Sequence, residues 1–218
     1  MTSQRESLPM SPRGPAHWPR RPKSLPKSPS SPAYGPPDLA ARLAAHGFVD
    51  AGGGYTMLLV REPPPAQDVP GVRLERYRGG PGVTVPAAVL RDIASVLVRS
   101  FGLPEEHIGP VEAETSEAFR SREFHVCLAR DGGEPVAVAK RYTFDGATYL
   151  SSIGTVPARR GRGLGSLVTD TVIRDGMAAS SKYVYLGVYV GNDRAIDVYH
   201  RAGMEILGGR GGDFLLVP

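Results

Sequence analysis

Val156-Pro157-Ala158-Arg159-Arg160-Gly161-Arg162-Gly163-Leu164-Gly165 joins a stretch that reads as a strand, Ala147 to Val156, to one that reads as a helix, Gly163 to Ser180. Glycines at 161, 163 and 165 let the backbone approach a ligand closely and take positive φ. The first helical amides then point outward without partners at the positive end of the helix dipole, which favours an anion. Arg159, Arg160 and Arg162 add full positive charge beside them, as a ligand with several phosphate groups requires. Two other phosphate loops are excluded. The dinucleotide fingerprint needs G-x-G-x-x-G and an acid at the end of the next strand, where this chain has Val190-Gly191. The nucleoside-triphosphate loop needs G-x-x-x-x-G-K-[ST], which is absent.

The flanking pattern predicts the fold. Upstream, strands are expected at Val72 to Tyr77, Phe124 to Arg130 and Pro135 to Phe144, with Asp131-Gly132-Gly133-Glu134 and Asp145-Gly146 as hairpin turns. A helix over Pro86 to Ser100 presents Val89, Leu90, Ile93, Val96 and Leu97 on one face, and a weaker helix spans Ala113 to Arg120. Downstream, a strand over Lys182 to Val190 completes a strand-helix-strand unit, which favours a parallel pair with a right-handed crossover. A helix from Asp193 to Ala202 and a strand from Asp213 to Val217 follow. The expected class is α/β, a mixed and mostly antiparallel sheet with helices on both faces.

Three regions are expected. Residues 1–37 hold ten Pro, seven Ser, six Lys/Arg and one Glu, which predicts a disordered basic tail. Residues 38–66 read as a short helix-strand subdomain and linker: Asp38 as N-cap, a helix to His46, Gly47 as stop, a strand from Tyr55 to Val60, then Pro63-Pro64-Pro65. Residues 67–218 form the main domain. Beyond residue 37 the chain carries 20 basic and 21 acidic side chains, a balance that argues against a nucleic-acid surface on the globular part. Cys127 is the only cysteine, so an intrachain disulfide and a cysteine-rich zinc site are both excluded, and its apolar neighbours mark it as a small buried hydrophobe. No metal and no membrane span are expected, and the compartment expected is the cytoplasm.

Arg160-Gly161-Arg162-Gly163-Leu164-Gly165 resembles the signature [QR]-x-x-G-x-[GA] of the GNAT superfamily of N-acetyltransferases. A second block agrees: Asn192, Ala195, Tyr199, Gly203 and Met204 occupy the places of N-x-x-A-x-x-x-Y-x-x-x-G-[FM]. The resemblance covers roughly residues 70 to 217 and implies the acyl-CoA N-acyltransferase fold, with acetyl-CoA as cosubstrate and an amine as acceptor. It further implies that the backbone of Ile153, Gly154, Thr155 and Val156 pairs with the pantetheine arm as an added strand. Arg159 to Gly165 would hold the pyrophosphate, Asn192 would touch the cofactor, and Tyr199 would protonate the leaving thiolate. Ala147 to Val156 and Lys182 to Val190 would splay where the thioester lies.

Each assignment has a structural alternative. Ala195, Val198, Tyr199 and Ala202 follow i, i+3, i+4, i+7 and form a packed helical face equally well. Asn192 would cap the helix through its side-chain oxygen. The strand before the loop offers Ser151 and Ser152 where many such enzymes have a Glu, so the base is open among Glu112, Glu114, Glu117, Asp145 and His125, or an amine that arrives neutral. Tyr183, Tyr185 and Tyr189 alternate with Val184, Leu186 and Val188, and either line an acceptor cleft or pack beneath a helix. The function implied is direct acetyl transfer to a primary amine of a small molecule or peptide. Transfer to a protein Lys or N-terminus, a non-turning-over acyl-CoA sensor, and assembly as a homodimer stay open.

Overall fold

The computed structural model describes residue 36, residues 38–65 and residues 68–216. In chain order the elements are α1 (Leu39–Ala45), β1 (Phe48–Leu59), β2 (Val72–Arg78), α2 (Ala87–Phe101), α3 (Ile108–Ala118), β3 (Phe124–Asp131), β4 (Glu134–Phe144), β5 (Ala147–Thr155), α4 (Leu164–Ala178), β6 (Tyr183–Tyr189), α5 (Asp193–Arg201) and β7 (Met204–Leu216). The tail reading falls outside the described residues apart from Pro36.

The sheet has seven strands in the order β2-β3-β4-β5-β6-β1-β7. Only the β5–β6 pair is parallel, as the α4 crossover requires. Both predicted hairpins close on two-residue turns: Asp131 pairs with Glu134 across Gly132-Gly133, and Phe144 with Ala147 across Asp145-Gly146. All four turn residues have positive φ, the backbone of a type I′ connection.

Adjacent residues on β4 show the layering. Lys140 Nζ donates to Thr115 Oγ1 of α3 at 3.0 Å, while the next residue, Arg141, faces the opposite side, under α4. α2 lies on the α3 side, where a Cβ on Gly154 of β5 would meet Ser100 at 2.7 Å. The core cluster joins Ile93, Val96 and Leu97 of α2, Val168, Val172 and Ile173 of α4, and Leu128, Val138, Leu150 and Leu186 of the sheet.

Several boundaries differ from the sequence reading. β1 is not part of a separate subdomain: it lies inside the sheet between β6 and β7 and buries Met57 and Leu59 in the common core. β7 begins at Met204 rather than Asp213, because Gly208, Gly209, Gly211 and Gly212 read as a loop. Those glycines meet the Gly52-Gly53-Gly54 run of β1, and a Cβ on Gly53 would fall 1.9 Å from the Gly211 carbonyl oxygen. Only glycine admits that approach. α3 starts at Ile108, five residues before the expected Ala113. Asp38 does not cap α1 with its side chain; its carboxylate accepts from Arg42 Nε at 2.8 Å instead.

Candidate active site

β5 carries a positive-φ residue at Ser152 (φ 49°), next to a register shift against β4. The irregularity matches a bulge, which re-aims a strand. Parallel pairing with β6 ends at Leu150↔Leu186, while β6 runs on to Tyr189, paired along its other edge with β1. The edge of Ile153, Gly154 and Thr155 that faces β6 therefore has no ladder partner among the described residues.

The loop next to this open edge is built for anions. A 3-10 turn over Pro157–Arg159 leads to Gly161 (φ 82°) and Gly163 (φ 79°), both in the left-handed region. The first backbone bond of α4 runs from Leu167 N–H to Gly163 C=O at 2.9 Å, and no side chain caps the helix. The amides of Leu164, Gly165 and Ser166 thus face outward at the positive helix end. A cleft of about 410 Å³ runs from Ile153 to Thr155 past Arg159, Arg160, Gly161, Gly163, Leu164 and Gly165 to Asn192. It brings together ten of the twelve residues proposed from sequence for the cofactor.

The other two sit elsewhere. Val156 is 6% exposed and its N–H donates to the Val136 carbonyl at 3.0 Å, so it offers no donor to a ligand. Arg162 reaches Asp131 at 2.6 Å and lines a neighbouring cavity with Val69 and Asp170. Asp131 also holds Arg159 at 3.2 Å. Arg160 is a strut: it donates to the carbonyls of Thr155 at 3.2 Å and Ser100 at 2.7 Å, tying the loop to β5 and to the end of α2.

Asn192 does not cap α5 through its side chain, because its ψ of 56° departs from the extended backbone that such a cap uses. Its carbonyl accepts from Ala195 and Ile196 instead, and the residue lines the cleft. Arg194 and Arg201 also line it, and sequence reasoning missed both. Their signal was available, since Arg194, Val198 and Arg201 follow i, i+4, i+7 and share a face of α5. Among the described lining residues there are four arginines and no carboxylate. Those residues fit a ligand with several phosphate groups.

Tyr199 is 7% exposed, belongs to the core cluster and is not among the residues lining this cleft or the next cavity; Ala195, one turn earlier, does line the cleft. Burial pushes its phenol up to about 12, so it holds its proton at every ordinary pH. The candidate bases Glu112, Glu114, Glu117, Asp145 and His125 line neither this cleft nor the next cavity. Burial likewise raises Cys127 to about 12, which leaves no reactive thiolate there.

A second cavity, of about 540 Å³, lies among β1, β6 and β7 and includes Tyr55, Tyr149, Gly187, Tyr189, Asp213 and Phe214. Tyr183 and Tyr189 are 56% and 68% exposed, and Tyr185 stacks on Tyr149 at 5.2 Å between ring centroids. The tyrosine face of β6 is thus open rather than packed beneath a helix.

The model of the acetyltransferase (GNAT) family matches residues 90–204, more than half of the chain. Solved structures share the fold. A GCN5-related N-acetyltransferase from Sphaerobacter thermophilus is 20% identical with a TM-score of 0.60, over 80% of this chain and 53% of that one. An acetyltransferase of the GNAT family from Colwellia psychrerythraea is 12% identical with a TM-score of 0.56, over 73% and 53%. A GCN5-related N-acetyltransferase from Kribbella flavida is 22% identical with a TM-score of 0.51, over 78% and 61%. This chain therefore spans about half to three-fifths of the length of those proteins. No curated protein matches it.

Proposed function

Given that this chain belongs to the acetyltransferase (GNAT) family, we propose that it transfers an acetyl group from acetyl-CoA directly to a primary amine of a small molecule or peptide. The observation that carries this reading is the unpaired edge of Ile153 to Thr155 opening onto the uncapped N-terminus of α4. The pantetheine amides pair with that edge as an added strand, and the pyrophosphate rests on the amides of Leu164 to Ser166. Arg159, Arg194 and Arg201 supply charge for the remaining phosphate oxygens.

The amine enters from the cavity among β1, β6 and β7, whose lining includes Tyr149 of β5 and Gly187 of β6. Tyrosine faces favour a cationic or aromatic acceptor, and Asp213, the carboxylate among the described lining residues, meets its ammonium. The ammonium first releases one proton to water. The neutral amine then attacks the thioester carbonyl, the C–N bond forms and the C–S bond breaks. The thiolate takes a proton from Tyr199, and the proton shed by the nitrogen returns to the Tyr199 oxygen, leaving an amide and a free thiol. A thiol of pKa about 8.5 leaves more readily when a donor stands beside it.

The test is a panel of primary amines, aliphatic, aromatic and peptide, assayed for release of free CoA with the full chain. Turnover on a subset, with mass gain of one acetyl group on the amine, is expected. Tight binding of acetyl-CoA without turnover on any amine would overturn the proposal in favour of a sensor.

A further inference from the structure

The register of β2, β3 and β4 lines up cations on the α4 side of the sheet. Arg78 stands opposite His125, and His125 opposite Arg141. Arg76, two residues before Arg78 and therefore on the same face, stands opposite Cys127. These side chains line a cavity of about 310 Å³ roofed by Val172, Asp175 and Ala178 of α4.

Asp175 is the carboxylate among the described lining residues, and Arg76 Nε already donates to both its oxygens at 3.0 and 3.3 Å. Arg141 is 7% exposed, donates to the Thr143 hydroxyl, and has no carboxylate within 4 Å among the described residues. A plain structural role would have the arginines answer Asp175 and the C-terminal end of α4. Those two contribute one and about half a negative charge; the exposed Arg76 and Arg78 are also solvated, whereas Arg141 is buried and forms no ion pair among the described residues. Arg78 and Arg141 flank His125 from the strands on either side, and a buried cation without an ion-pair partner is costly. Burial, against the opposing charge of Asp175 and with the charges of Arg78 and Arg76, holds the Arg141 guanidinium below its usual pKa, and His125 is lowered by burial and by Arg141.

We infer that this cavity is a binding site for a phosphate-type oxyanion, held by Arg141 from below and by Arg76 and Arg78 from the side. Guanidinium groups from two strands need acceptor oxygens in several directions; a tetrahedral anion has them, whereas a carboxylate has two in one plane. The volume exceeds one phosphate and admits a small phosphate monoester. α4 separates this site from the coenzyme cleft, since 15 residues span roughly 20 Å.

The test uses inorganic phosphate on the full chain, with CoA present throughout to occupy the other anion cleft. Thermal melts are compared in phosphate and in chloride at equal ionic strength. Phosphate is expected to raise Tm by about 3 °C or more at ten times its Kd. Arg141→Met should abolish that rise while melting no lower than the parent in chloride, and the exposed Arg78→Gln should weaken it. An equal rise in parent and both variants, or no rise in the parent, overturns the inference.

Discussion

The arginine-lined cleft and the tyrosine-lined cavity differ in how they are built. The coenzyme cleft takes most of its lining from two short runs, residues 153–166 and 192–201, joined by the end of α2. The tyrosine-lined cavity draws on α1, β1, β5, β6 and β7, five separate segments. A site made of contiguous backbone has its glycines and helix end written in the sequence as a spaced motif. A site assembled across strands can change its ligand one side chain at a time.

Mutations can break this contrast. The largest effect is expected from Gly165→Val. Gly165 is in the first turn of α4 and a Cβ there would lie 3.5 Å from Thr155 Oγ1, ordinary contact, so the variant should fold. Its side chain obstructs the cradle, and loss of two charge-assisted hydrogen bonds should weaken CoA binding by about 100-fold in a calorimetric titration. Tyr199→Phe comes next. It should lower kcat by about 10-fold or more with little change in CoA affinity, as removal of a proton donor does. An unchanged kcat would return Tyr199 to a packing role. Asp213→Asn should raise KM for the amine by about 3-fold, a surface-pair magnitude, and leave CoA affinity untouched.

Stability at high pH is affected as well. Tyr199, Tyr77 and Cys127 all have folded pKa values raised to about 12. Each neutral form is favoured in the folded state. Stability that is complete below the unfolded values, 9 for Cys127 and 10 for the tyrosines, is therefore lost as pH rises toward 12. Melts between pH 8 and 12 should show the decline beginning near pH 9, and Tyr199→Phe should make it shallower above pH 10.

Much of the fold was legible because its signals are local. The alternation of Val184, Leu186 and Val188 with tyrosines, the hairpin glycines, and the face of α2 each report on their own neighbours in sequence. What was hidden depended on partners far away. The Gly208 to Gly212 run is strand only because Gly52 to Gly54 lie beside it, and Pro63 to Pro65 suggested a boundary where β1 is already in the sheet. At the site, the glycine loop and α5 were legible. The departures of Val156 and Arg162 were not, since they turn on a hydrogen bond to Val136 and an ion pair with Asp131; for Asn192 only the alternative of a side-chain cap fails, on a single ψ angle.

Hydrogen exchange with and without CoA tests the central assignment most directly. CoA should slow exchange at Ile153 to Thr155 and Leu164 to Ser166 while leaving β1 and β7 unchanged. Protection confined to β1 and β7, or none at the loop, would contradict it.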